Sequence, residues 1–192
     1  MTDALGPRIG VLAAQRLVQL GVIDIQDGLT ETEFADVEQH FGFEFSDDHR
    51  AFLAAGLPIW TAGHDDHPDQ AGWGWPNWRD HESETLQQQV NWPVDSIHRH
   101  IAEGHWPTGW GRRPKTQELV KAKTQSLLAE VPRLIPVYAH RYLPAGAGTS
   151  GQPVLSVHSL NDIIVYGADL EVYMIQEFHE TEVTVPFWRD CL

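Results

Sequence analysis

Leu134-Ile135-Pro136-Val137-Tyr138-Ala139, Val154-Leu155-Ser156-Val157 and Ile163-Ile164-Val165-Tyr166, followed by Asp169-Leu170-Glu171-Val172-Tyr173-Met174, decide the fold class of this chain. The first three segments are short and rich in β-branched and aromatic residues, which predicts strands. Ser159-Leu160-Asn161-Asp162 supplies turn chemistry between the second and third, because Asn and Asp side chains can mimic a backbone turn. Pro144–Gly151 is rich in Gly and Ser and is expected to be a mobile connection. From Asp169 the period changes, and Leu170, Tyr173, Met174 and Phe178 share one face of a closing helix.

Upstream of the strands the pattern is helical. Ile9, Leu12, Ala13, Leu17 and Leu20 recur at helical spacing, and Gly21 ends that run. Thr30-Glu31-Thr32-Glu33 is a capping box in which the Thr30 hydroxyl accepts from the Glu33 amide while the Glu33 carboxylate reaches back. Leu29 and Phe34 flank that cap as a staple, Phe34, Val37 and Phe41 form the apolar face, and Gly42 stops the helix. Phe43-Glu44-Phe45 reads as a short extended link, and Ser46 is placed to cap a helix over Asp47–Ala55. Asp47 and Asp48 suit its positive end.

The middle, 60–114, holds all the tryptophans but Trp188 and many Gly and Pro residues. Helices are expected at His81–Val90 and Ser96–Glu103 within a long ordered loop region, and another at Arg113–Ala129. Helices grouped before consecutive hairpins indicate a single α+β domain on an antiparallel sheet. Residues 1–28 form an N-terminal helical extension and 60–114 a Trp-rich insertion.

Charge and composition narrow the function. The chain has 192 residues, 42% of them hydrophobic, which suffices for a core. Lys and Arg number 13 against 27 Asp and Glu, for a formal charge of -14. That balance excludes nucleic acid as a direct partner, since phosphate binding needs clustered cations. It favours a protein partner with a basic surface and repels anionic lipid; the plainer reading is that the carboxylates keep the chain in solution. Ile9–Val22 is too short and too polar to span a bilayer. A single cysteine, Cys191, and the absence of a basic-then-apolar leader point to the cytoplasm. The oligomeric state stays open.

Catalytic motifs are missing. There is no Gly-x-Ser-x-Gly elbow and no Gly-x-x-x-x-Gly-Lys-Ser/Thr loop. Gly146–Gly151 follows a strand and opens no helix, so it lacks the context of a nucleotide loop. His64-Asp65-Asp66-His67 could ligate a metal through His64 and His67, which makes a metal-dependent hydrolase the enzymatic alternative; the competing reading is a polar loop. Arg141 with Asp162 or Glu177 is a candidate ion pair near strand ends. The expectation is a non-enzyme without cofactor. Its partner-binding candidates are Asp65, Asp66, Trp73, Trp75 and Arg79, since Trp and Arg dominate interface hot spots. Against that stands the reading of the tryptophans as loop anchors. Trp73 and Trp75, in Gly72-Trp73-Gly74-Trp75-Pro76, are expected to be exposed, and Trp78, Trp92, Trp106 and Trp110 to be core.

Two segments together resemble the SUKH superfamily, which includes the Smi/Knr cell-wall regulators. One is Leu29–Glu38 with Phe41-Gly42 and Ser46–Leu53. The other is Pro136–Pro144, Gln152–Val157, Asn161–Gly167 and Asp169–Tyr173, ending at Glu177-Phe178. Pro76-Asn77-Trp78-Arg79-Asp80, Trp92-Pro93, Trp106 and Trp110-Gly111-Arg112-Arg113-Pro114 are similar to a Trp-rich actinobacterial-type branch. The resemblance covers about 30–178. It implies a curved antiparallel sheet flanked by helices and a protein-binding role without catalytic residues. For a bacterial member that role is immunity to a polymorphic toxin, often a nuclease; the alternative is a Smi/Knr-type regulator or scaffold.

Overall fold

The computed structural model describes residues 5–21, 23–59 and 73–178. The fold is α+β; the described residues form six α-helices and two antiparallel sheets, the larger one curved and open. Helix α1 (Leu5–Leu20) turns Ile9, Ala13, Ala14 and Leu17 inward and packs chiefly against α3 (Asp47–Ala55) and α6 (Leu170–Phe178). The helical segment expected to be an extension is therefore part of the core. Its approach to α3 is close. A Cβ on Gly10 would lie 2.1 Å from the Asp48 carbonyl oxygen, so only glycine fits there.

Helix α2 (Glu31–Phe41) begins and ends as its sequence dictates. The Thr30 hydroxyl accepts from the Glu33 N–H while the Glu33 carboxylate accepts from the Thr30 N–H at 2.7 Å. Gly42 closes it in the left-handed region, with φ 68°. The start of α3 departs from expectation. Ser46 occupies the cap position, but its hydroxyl is buried and caps nothing. The Gly/Ser segment 145–151, which joins two strands of the larger sheet, docks there instead. Asp47 N–H donates to Thr149 O at 2.8 Å, and the carboxylates of Asp47 and Asp48 accept from Gly148 N–H and Gly151 N–H at 2.9 and 2.8 Å. The connection expected to be mobile is thus tied down at several points, because it satisfies orphan groups at a helix start.

Strands β1 (Asp24–Gln26) and β2 (Leu57–Ile59) form a two-stranded ribbon, each too short to show a period. A single helix, α4 (Glu84–Ala102), replaces the two expected over 81–103 and runs through Pro93. Its hydrogen bonds to the sheet side help to hold this course: Gln89 Nε2 donates to Ala139 O at 2.9 Å, Trp92 Nε1 donates to Val157 O at 3.0 Å, and Gln89 O accepts from the Tyr142 hydroxyl at 3.0 Å. Helix α5 (Gln117–Ala129) follows, capped by Thr116.

The four-stranded sheet is a meander in the order β3 (Leu134–Tyr138), β4 (Arg141–Pro144), β5 (Val154–Ser159) and β6 (Asp162–Gly167). Strand β4 went unrecognised in the sequence because it follows β3 after a two-residue turn. Ala139 makes that turn by taking φ 46°, outside the strand region. The core joins Leu17, Phe34, Phe52, Leu57, Ile135, Leu143, Leu170 and Met174 across both layers. Beside them Phe43, Phe45 and Trp78 meet edge to face, with Phe45 and Trp78 centroids 5.1 Å apart. Such contacts add about 0.5–1.5 kcal/mol each to the burial of the rings.

Candidate binding surface

Of the grip expected from the sequence, only Trp73, Trp75 and Arg79 lie within the described residues, and these three are engaged within the fold. Asp65, Asp66, His64 and His67 lie outside the described residues. Trp73 and Trp75 are each only 6% exposed, which corrects the expectation that they face solvent. Trp75 stacks on Phe178 at 5.3 Å and meets Tyr138 at 4.9 Å, while Trp73 meets Trp92 edge to face at 5.2 Å. The backbone between them is tied into the fold: Gly74 O accepts from Ala139 N–H at 2.9 Å and from Gln89 Nε2 at 3.2 Å. Trp78 is core as expected. Trp106 and Trp110 are not; they form a half-buried pair of their own, with centroids 5.4 Å apart.

Arg79 is likewise engaged within the fold. Its guanidinium donates to Glu33 Oε1 at 2.6 Å, to Gln26 Oε1 at 3.1 Å, and to the carbonyls of Asp27 and Gly28 at 3.0 and 3.1 Å. It joins the start of α2 to the link leaving β1. The Arg79 hydrogen bond, followed by the Thr30 N–H, holds the Glu33 carboxyl down at about 2. A partner would have to break this clamp before using Arg79.

A second polar cluster sits where α6 crosses the sheet. Arg141 Nε donates to Glu177 Oε2 at 3.2 Å, its Nη1 donates to Ser156 Oγ at 3.2 Å and touches His140 Nε2, and its guanidinium lies 3.9 Å from the Tyr166 ring centroid. The ion pair is one of the two expected. Asp162 is not part of it; it is exposed at the start of β6 and pairs in register with Ser159. Burial pushes the Glu177 carboxyl above its ordinary value, and the charge and hydrogen bond of Arg141 oppose that push. These groups pin α6 to the sheet. Among the described residues no three His, Cys, Asp or Glu side chains converge as a metal shell, and no helix is long and apolar enough to cross a membrane.

Large apolar side chains reach solvent in several places among the described residues. Leu5, Val11 and Val18 project from α1, and a cavity of about 260 Å³ between α1 and α6 is lined by Arg16, Gln19, Leu20 and Ile175. Ile163, Ile164 and Val165 are exposed in succession along β6. Sequence reasoning placed these three on a strand but gave them no role, since exposure depends on where the sheet ends. No family model, curated protein or solved structure matches this chain.

Proposed function

We propose that this chain is a non-enzymatic protein-binding domain of the SUKH type, acting in the cytoplasm as an immunity protein that neutralises a toxin with a basic surface. The observation that carries the reading is the ordered resemblance itself: a capping-box helix, a short aromatic link and a second helix, then an antiparallel meander and a closing helix. Two further features support it. The formal charge of -14 would steer a basic partner into contact and hold nucleic acid away. The polar clusters around Arg79 and Arg141 are occupied in joining elements of the fold.

The test is complex formation between this chain and the toxin encoded beside its gene, together with rescue of cells expressing that toxin. Binding at nanomolar to low-micromolar concentration with rescue is expected. Absence of binding at micromolar concentrations sinks the reading. Apolar residues exposed both on α1 and on β6 would also suit a regulator that meets several partners; recovery of several unrelated proteins in a pull-down would favour that second reading.

A further inference from the structure

Strand β6 is an edge of the four-stranded sheet among the described residues, and the register shifts of its pairing with β5, at Val154/Leu155 and Val157/Ser159, flank the run Ile163–Val165 without interrupting it. Exposed edges are usually blunted by Lys, Pro or a strong bulge. The opposite edge follows that rule: β3 contains Pro136, and Ala139 at its end donates its N–H to Gly74 O. On β6 the run Ile163-Ile164-Val165 has neither charge nor proline, and these residues are 42%, 52% and 66% exposed. Their side chains alternate between the two faces of the sheet, so a neighbouring strand would find apolar contacts above and below.

The main chain is also aimed outward. Val157 donates its N–H to His140 O at 2.9 Å, away from β6. In an antiparallel ladder both main-chain groups of a residue face the same side, and residues opposite one another face together or apart. Val157 pairs with Ile163 and Leu155 with Val165, so Ile163 and Val165 turn their N–H and C=O groups away from β5.

Charge selects the occupant. From Ser150 to Phe178 the chain has no Lys or Arg, and Asp162, Asp169 and Glu171 bracket the strand. Arg141, which reaches Tyr166, is neutralised by Glu177. A second copy would bring the same carboxylates and a formal charge of -14 against -14. We infer that β6 receives an extended segment of a partner protein as a fifth strand, with apolar residues at its centre and Lys or Arg at its ends. The inference rests on the reading of this chain as a protein-binding domain and names where and how it binds.

The probe is the peptide acetyl-Lys-Lys-Val-Ile-Val-Lys-Lys-amide, added to the full-length chain, with amide signals and hydrogen exchange followed residue by residue. Saturable binding is expected, with slowed exchange at Ile163 and Val165. A peptide of the same charge, N-methylated at alternate residues, should bind at least tenfold more weakly, as should the probe to a Val165→Lys chain. The methylated peptide leaves the protein untouched, so the test survives if that variant folds poorly. Equal binding of the two peptides, or no binding, overturns the proposal. So does slow exchange at Ile163 and Val165 in the free chain, which would show another part of the chain or a second copy already in place. A neighbouring toxin that binds wild type and Val165→Lys equally would keep the binding role and overturn this surface. Failure of that toxin to bind at all would remove the immunity reading, and the peptides would still decide the edge.

Discussion

His49 sits in the first turn of α3 with its ring packed edge to face against Phe45 and Trp78, at centroid distances of 5.1 and 6.5 Å. Neither ring nitrogen has a hydrogen-bond partner among the described residues. Burial pushes its pKa down from 6.5 to about 3, so the native ring is neutral. Between those two values the unfolded chain binds a proton that the native chain does not. The contribution of this site is therefore complete above pH 6.5 and is lost as pH falls toward 3, with a slope of about 1.4 kcal/mol per unit. Urea unfolding of wild type at pH 7.5 and pH 5 should show that loss, and His49→Phe should flatten it. Glu33 acts in a lower window, since its carboxyl is held at about 2 against an ordinary 4.5 and its stabilisation fades only as pH falls through that interval. Arg79→Ala should return the Glu33 titration, followed by NMR, toward 4.5. Because both side chains are about a third exposed, the ion pair itself adds little, and a total loss of about 1–2 kcal/mol is expected once the bonds to the Asp27 and Gly28 carbonyls are counted.

At the level of elements, helix α2 was legible in full because its signals are local: Thr30 and Glu33 satisfy each other, and Gly42 needs no distant partner. Removing that cap with Thr30→Ala should cost about 1 kcal/mol in chemical denaturation. Helix α1 was legible as a helix but not as core. Gly10 shows why two effects must be weighed. Alanine there would improve helix propensity by about 1 kcal/mol, yet its Cβ would meet the Asp48 carbonyl oxygen at 2.1 Å. The steric effect wins, and Gly10→Ala should lower stability by a net of about 1–3 kcal/mol, measured as a shifted denaturation midpoint with α1 still helical. Helix α4 carried a misleading local signal. Its sequence reads as two helices, but the bonds from Gln89 and Trp92 to Ala139 O and Val157 O anchor the half before Pro93 beside the sheet, and the helix continues through the proline.

For the whole molecule, a formal charge of -14 has kinetic consequences for association with a basic partner. Stopped-flow mixing with the neighbouring toxin should show an association rate that falls about tenfold or more when salt rises from roughly 0.03 to 0.3 M, with dissociation much less affected. A rate insensitive to salt would mean that acidity has no part in recognition. The sequence by itself determined the α+β class, both ends of helix α2 and three of the strands of the larger sheet. Those follow from periods of 2 and 3.6 residues and from chemistry within a few positions. The tertiary structure decided the rest. Trp73 and Trp75 are internal because Tyr138, Trp92 and Phe178 arrive beside them from distant parts of the chain. Arg79 is a clamp because Glu33 and the 26–28 link stand within its reach. Ile163–Val165 became the surface to test because the described sheet ends at β6. Burial and edge position depend on which remote segments meet, and no local pattern encodes that.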